Sequence, residues 1–192
     1  MAKQSVLTLD NNGFFYKNDH FSYDEINYLY FYYVQVQKTM NFVASGIDHE
    51  IDAKIYIKGR SSPLEIKTGP RFLSFHGFSF GEKSSQSLIA KWNELCRMTF
   101  KNRAEKYLQS WHEFGYFNYD EKKFFKNGDI SSHSWTFNIY RDGPLLKSPF
   151  LLFIEITKGN WLFSAKRREI RTLIDSDVLF SMLASFYKKH WR

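Results

Sequence analysis

A chain of 192 residues with 4 Pro and 10 Gly has room for one large domain or two small ones, and lacks the composition of long disordered linkers. Its 20 Phe, 12 Tyr and 5 Trp supply large apolar areas that suit strands and a substantial core. A single Cys excludes an internal disulfide framework, and no Cys/His spacing suggests a structural metal.

The formal net charge of +7 permits an anionic partner such as lipid headgroups or nucleic acid without requiring one. Residues 1–115 carry 14 basic and 12 acidic side chains, whereas residues 116–192 carry 13 and 8, so the excess is expected in the C-terminal part. MAKQSVLTLDNNG at the start lacks the apolar core of a secretory signal, and no run of 18 apolar residues occurs. The expectation is a cytoplasmic protein without a transmembrane segment.

In chain order, Val6 to Leu9 is an apolar run stopped by the turn residues Asp10-Asn11-Asn12-Gly13. Phe14 to Tyr16 and His20 to Ser22 read as hairpin strands about Lys17 to Asp19, and Ser22 or Asp24 as the cap of one turn leading to Ile26. Ile26 to Val43 is dense in Tyr, Phe and Val, and is read as two strands joined near Tyr33 to Gln35. After Gly46, His49 to Ile57 alternates apolar and polar residues as a half-buried strand does. Leu64 to Thr68 and Arg71 to Phe75 read as shorter strands, and Gly77 to Ser84 as a Gly/Ser loop.

Ser85 to Phe114 is the dominant element. Leu88, Ile89, Trp92, Leu95, Cys96, Thr99, Phe100, Ala104, Tyr107, Leu108 and Trp111 recur at steps of three and four, which predicts one amphipathic helix with Ser84 or Ser85 as its N-cap. At about 1.5 Å per residue it would be roughly 40 Å long. Beyond Gly115, strands are expected over Tyr116 to Tyr119, Lys123 to Phe125, Trp135 to Tyr140, Phe150 to Thr157, Trp161 to Ser164 and Glu169 to Ile174. Asn127-Gly128 and Lys158-Gly159-Asn160 are hairpin turns. Asp175 is read as the cap of a last helix running through about His190, whose terminal Lys188, Lys189 and Arg192 suit the negative end of its dipole.

Phe15-Tyr16-Lys17-Asn18 with Phe21-Ser22 can be laid on Phe124-Phe125-Lys126-Asn127 with Ile130-Ser131, an offset of 109 residues that fits a duplicated small domain. Both halves run strands first and end in an amphipathic helix. This α+β order resembles the pleckstrin-homology-like fold in tandem. There two antiparallel sheets form a partly open barrel and a C-terminal helix plugs one end. The resemblance implies a first unit over 1–115, including the long helix, and a shorter second unit over 116–192.

Two constellations could carry function. Asp52 followed by Glu65-Ile66-Lys67 has the layout of PD-(D/E)xK nucleases, in which two carboxylates hold Mg²⁺ and a lysine activates water; Glu65 and Lys67 share a strand face at period two. The Pro-Asp dipeptide is missing, and the plainer reading is a solvated ion pair. The second is a basic set, Lys158, Lys166, Arg167, Arg168 and Arg171. Converging cations could hold phosphorylated headgroups or, with aromatics between them, single-stranded nucleic acid. The plainer reading is a charged edge that discourages sheet-to-sheet pairing.

The six histidines show no ligand spacing, no nucleophile signature or phosphate loop is present, and Cys96 reads as core. Tyr28 to Tyr33 has more aromatics than one buried face absorbs, which suggests an interface. The sequence therefore points to a non-enzymatic binding or scaffolding module for a protein or an anionic ligand. It implies no catalytic residue, cofactor or metal; the alternative is a metal-dependent nuclease using Asp52, Glu65 and Lys67.

Overall fold

A computed structural model describes residues 7–40, 43–68, 82–142, 145–147, 153–158, 166–171 and 174–188. The expected strands at Arg71 to Phe75 and Trp161 to Ser164 lie outside the described residues, as do residues 77–81 and the basic tail beyond Lys188. The chain is mixed α+β and divides into two compact units, Met1–Phe100 and Lys101–Arg192. Helix α1 (Glu82–Phe114) contributes residues to both, so the division falls within the helix.

In the N-terminal unit, β1 (Leu7–Leu9), β2 (Gly13–Tyr16) and β3 (Asp19–Ser22) form an antiparallel meander. Asp10 turns the chain between β1 and β2: its Oδ1 accepts the N–H of Asn12 at 2.8 Å and of Gly13 at 2.7 Å. Gly13 is required because a Cβ there would stand 2.0 Å from the Phe21 carbonyl oxygen. A single 3-10 turn, Tyr23–Glu25, follows, with Glu25 Oε2 accepting the Ser22 N–H at 2.6 Å.

The second meander is β4 (Ile26–Met40), β5 (Val43–Ile57) and β6 (Leu64–Thr68). The expected break near Tyr33 to Gln35 is absent, and β4 is one strand of 15 residues. No turn-forming residue lies there, and the alternation of Val34-Gln35-Val36-Gln37 simply continues that of the tyrosines. Nor does Gly46 end a strand; the irregularity there is a register shift between Lys38 and Thr39. Ile51, Ala53, Ile55 and Ile57 are buried at period two beside Leu29, Leu64 and Ile66. Trp92 and Leu95 of α1 cover them, with the Trp92 ring 5.1 Å from Phe31.

Helix α1 begins at Glu82, before the expected cap. Ser85 therefore lies in the first turn, buried, and its Oγ has no partner among the described residues. The helix ends as expected: Gly115 takes φ +77° and its N–H reaches the Trp111 carbonyl at 3.2 Å.

In the C-terminal unit, β7 (Tyr116–Tyr119), β8 (Lys122–Phe125), β9 (Asp129–Ser132) and β10 (Trp135–Asn138) form a four-stranded antiparallel meander. A short helix α2 (Ile139–Asp142) leads to a three-stranded meander of β11 (Leu145–Lys147), β12 (Phe153–Lys158) and β13 (Lys166–Arg171), and then α3 (Ser176–Tyr187). The expected strand through Tyr140 stops at Asn138, because Asn138 Oδ1 accepts the N–H groups of Tyr140 and Arg141, both at 3.0 Å, and starts α2 as an N-cap. Helix α3 ends at Tyr187, short of His190. The core stacks Phe117 on Phe124 at 4.9 Å and Trp111 on Phe186 at 4.1 Å, with Val178, Leu179, Met182 and Leu183 buried from α3.

The six-residue match falls on two hairpins, β2–β3 and β8–β9, but out of phase. Phe124 is buried, whereas its counterpart Phe15 is exposed and Phe14 is the buried residue. The loop of the first hairpin has an even number of residues and that of the second an odd number, which flips the side-chain faces.

Candidate functional site

Sheet register brings Asp52, Glu65 and Lys67 onto one face of the N-terminal unit. Asp52 on β5 lies opposite Lys67 on β6, and Lys54 opposite Glu65. On the other side Asp52 faces Tyr32 and Lys54 faces Tyr30, whose ring lies 5.0 Å from the Lys54 ammonium. Each carboxylate thus faces a lysine, and the two carboxylates are only diagonal neighbours.

Lys67 Nζ donates to Glu65 Oε2 at 2.8 Å. That hydrogen bond holds the Glu65 carboxyl below its usual range, with Lys54 adding to the effect, and raises the Lys67 ammonium. Asp52 Oδ1 is shut off from solvent without a hydrogen-bond partner among the described residues. The patch is an alternating-sign ladder framed by half-exposed Tyr28, Tyr30, Tyr32 and Tyr56. Among the described residues no group of three or more His, Cys, Asp or Glu side chains could hold a metal ion.

The basic set in the C-terminal unit is divided by register. Lys158 lies opposite Lys166, Ile156 opposite Arg168 and Ile154 opposite Ile170, which places Lys158, Lys166 and Arg168 on one face of the ladder. Lys147 of β11, opposite Ile154, shares that face. Arg167 and Arg171 fall on the other face, where Glu155 lies opposite Glu169. By register, the second set of positions holds two cations and two acids, whereas the first holds four cations alternating with Leu145, Ile154, Ile156 and Ile170. The set expected to act together is therefore two groups with different electrostatics.

One feature had no place in the reading of the sequence. Arg103 is buried on α1, and its guanidinium donates to Asp175 Oδ1 at 3.0 Å and to both oxygens of Asp177 at 2.9 and 2.6 Å. Lys106 Nζ and the Tyr107 hydroxyl add donors to Asp175 Oδ2 at 3.0 and 3.1 Å. Asp175, read as the cap of α3, takes left-handed φ 44° and spends its carboxylate on α1, making no cap hydrogen bond. The signal was present in the spacing: Arg103 stands at the i+4 step between Thr99 and Tyr107 on the apolar stripe, where a lone charge must find a buried acceptor. Nearby Tyr119 donates its hydroxyl to the Ile174 carbonyl, and burial, reinforced by the charge of Asp175, pushes that phenol up.

No helix among the described residues is long and apolar enough to cross a membrane. Neither a family model, nor a curated protein, nor a solved structure matches the chain.

Proposed function

We infer that the protein is a non-enzymatic binding module whose C-terminal unit takes an anionic ligand on the face of β12–β13 that carries Lys158, Lys166 and Arg168. The observation that carries this is the division of charge by register: these cations share their face with no acidic strand residue, while Arg167 and Arg171 share theirs with Glu155 and Glu169. Several lysines and arginines on one face lower the free energy of a phosphate-rich ligand through charge-assisted hydrogen bonds and counterion release. The half-exposed tyrosines of the N-terminal sheet support a protein contact on that unit, since tyrosine combines apolar area with a polar tip.

The pleckstrin-homology-like architecture belongs to the same reading. It is supported by the order of elements: a four-stranded meander, a three-stranded meander and a closing helix in the C-terminal unit, and two three-stranded meanders ahead of α1 in the N-terminal unit. The test is equilibrium binding of the whole chain to a fluorescent oligonucleotide and to vesicles containing phosphatidylserine, over a salt series. Binding to one or both that weakens steeply with salt is expected. Salt-insensitive binding, or none to either, would contradict the reading.

A metal-dependent nuclease is the second reading, favoured by the shared face of Asp52, Glu65 and Lys67. Against it, Mg²⁺ takes octahedral oxygen ligands, and here each carboxylate faces an ammonium. Incubation of DNA and RNA with Mg²⁺ or Mn²⁺ decides: cleavage abolished by Glu65→Ala would establish it, and no cleavage is the outcome the binding reading expects.

A further inference from the structure

The C-terminal unit carries a second surface feature, independent of the β12–β13 ladder. At the end of α1, Phe114 is 65% exposed. Its ring is 6.1 Å from that of Tyr116, which is 5.5 Å from that of Phe125. Tyr116 and Phe125 form a cross-strand pair on the outer face of the β7–β10 sheet, because the next pair, Phe117 and Phe124, is buried in the core. The three rings thus make a row in tilted contact, with the Phe114 end exposed. Two lysines flank it: Lys123 Nζ lies 4.9 Å from the Tyr116 ring centre, and Lys126, next to Phe125, donates its backbone N–H at 2.9 Å to the carbonyl of Gly115, which stands between Phe114 and Tyr116. The adjoining row on the same outer face is Asn118, Lys123, Ser131 and Thr136. It is polar and carries one cation.

We propose that this aromatic row is a stacking site for bases of single-stranded nucleic acid, which makes the anionic ligand of this unit a nucleic acid. The inference rests on the reading of the C-terminal unit as an anion binder and names the ligand's chemistry. Unit charge comes first: Lys101–Arg192 holds 16 basic and 10 acidic side chains, a net of +6, so a polyanion is attracted and a neutral ligand is not. Ring faces next to ammonium groups are the pairing that single strands need, because bases stack in any sequence while phosphates meet cations.

A lipid surface fits less well. Phe114 alone projects, and Tyr116 and Phe125 are half-buried, so too little apolar area stands out to insert among acyl chains. A protein hot spot sits in a well-packed, desolvated pocket, whereas this row ends on the projecting ring of Phe114. Asp129, opposite Asn138 at the same end of the sheet, accepts hydrogen bonds from Asn127 and Asn138, which fix its carboxylate in place.

The test compares whole-chain binding to a single-stranded oligonucleotide, to its duplex and to an abasic strand of equal length and charge, at fixed salt. The site predicts that the abasic strand and the duplex bind about 5- to 150-fold more weakly than the single strand. Phe114→Ala, at an exposed position that leaves the core intact, is expected to weaken single-strand binding and leave the abasic strand unaffected. Lys126→Ala is expected to weaken all three ligands. Equal affinity for the single and abasic strands would overturn base stacking while leaving anion binding standing. A preference for bases that survives Phe114→Ala would overturn this location. Failure of every oligonucleotide to bind, with vesicles bound, would overturn the nucleic-acid assignment alone; failure of vesicles as well would remove the underlying reading.

Discussion

The two units are similar in size and differ in net charge: one is close to neutral and the other is strongly basic. Met1–Phe100 carries 11 basic and 10 acidic side chains, a net of +1, whereas Lys101–Arg192 carries 16 and 10, a net of +6. In the first unit the described charges near the tyrosine face are paired by sign across strands: Asp52 with Lys67, and Lys54 with Glu65. In the second, register sets Lys158, Lys166 and Arg168 apart from Arg167 and Arg171, and a buried ion cluster among the described residues joins α1 to the start of α3. The contrast teaches that charge count is a poor guide until register is known. The Glu-x-Lys signature looks catalytic in a string of letters and becomes a neutralised ladder once its partners are placed. The basic set looks uniform and turns out to be two groups.

The largest break in this comparison should come from Arg103. Removing one partner of a buried ion pair leaves the other charges uncompensated, at about 3–5 kcal/mol. Arg103→Ala should therefore destabilise the C-terminal unit by roughly that amount, seen as faster amide exchange in peptides of β7–β10 and α3, with those of β5 and β6 changed much less. Arg103→Met, of similar length, would show the same loss, since Asp175 stays buried. A loss spread evenly over both units would mean that the cluster does not belong to one of them.

A smaller difference is expected in alkali. Burial pushes the Tyr119 and Tyr187 hydroxyls well above the ordinary phenol range. A phenol with a raised folded pKa contributes stability that is complete below the unfolded value, about 10, and is lost as pH rises above it. Each should remove about 1.4 kcal/mol per pH unit in that window. Exchange followed from pH 9 to 11 should show the C-terminal unit loosening first. Tyr187→Phe should flatten the slope while losing the hydrogen bond to the Phe125 carbonyl. An unchanged slope would contradict the assignment.

The smallest effect is expected at the ladder of the N-terminal unit. The Glu65–Lys67 pair faces solvent, and solvent screening leaves such pairs with little net stabilisation. Glu65→Ala should leave the thermal midpoint of the chain close to that of the parent. A large loss would show that Glu65 does something other than pair with Lys67.

Much of the fold was legible. β6 and β7 match their expected limits at Leu64, Thr68, Tyr116 and Tyr119, because each is a short stretch with every second residue buried or apolar, bounded by turn residues. The long helix was legible from its stripe, and its end from Gly115. β9 and β11 were missed: Asp129–Ser132 has one large apolar residue, and Leu145–Lys147 is three residues long. Such pieces become strands only because a neighbour offers its ladder. The Asp52, Glu65 and Lys67 set could be named from spacing, but its neutralisation depended on which residue of β5 meets which of β6. Arg103 stood on the apolar stripe in plain view, yet its partners lie 72 and 74 residues away, beyond what a local pattern reports.

The most direct test of the account separates the two faces of β12–β13. Binding of a fluorescent single-stranded oligonucleotide should be measured for the triple variant Lys158→Ala/Lys166→Ala/Arg168→Ala and for the double variant Arg167→Ala/Arg171→Ala, each over a salt series. The triple variant is predicted to lose most of the affinity, with the log–log salt slope reduced by about 0.7 for each phosphate contact removed. The double variant, whose cations share a face with Glu155 and Glu169, is predicted to stay close to the parent. Equal losses in both variants, or a greater loss in the double variant, would contradict the claim that register decides which cations of this protein bind.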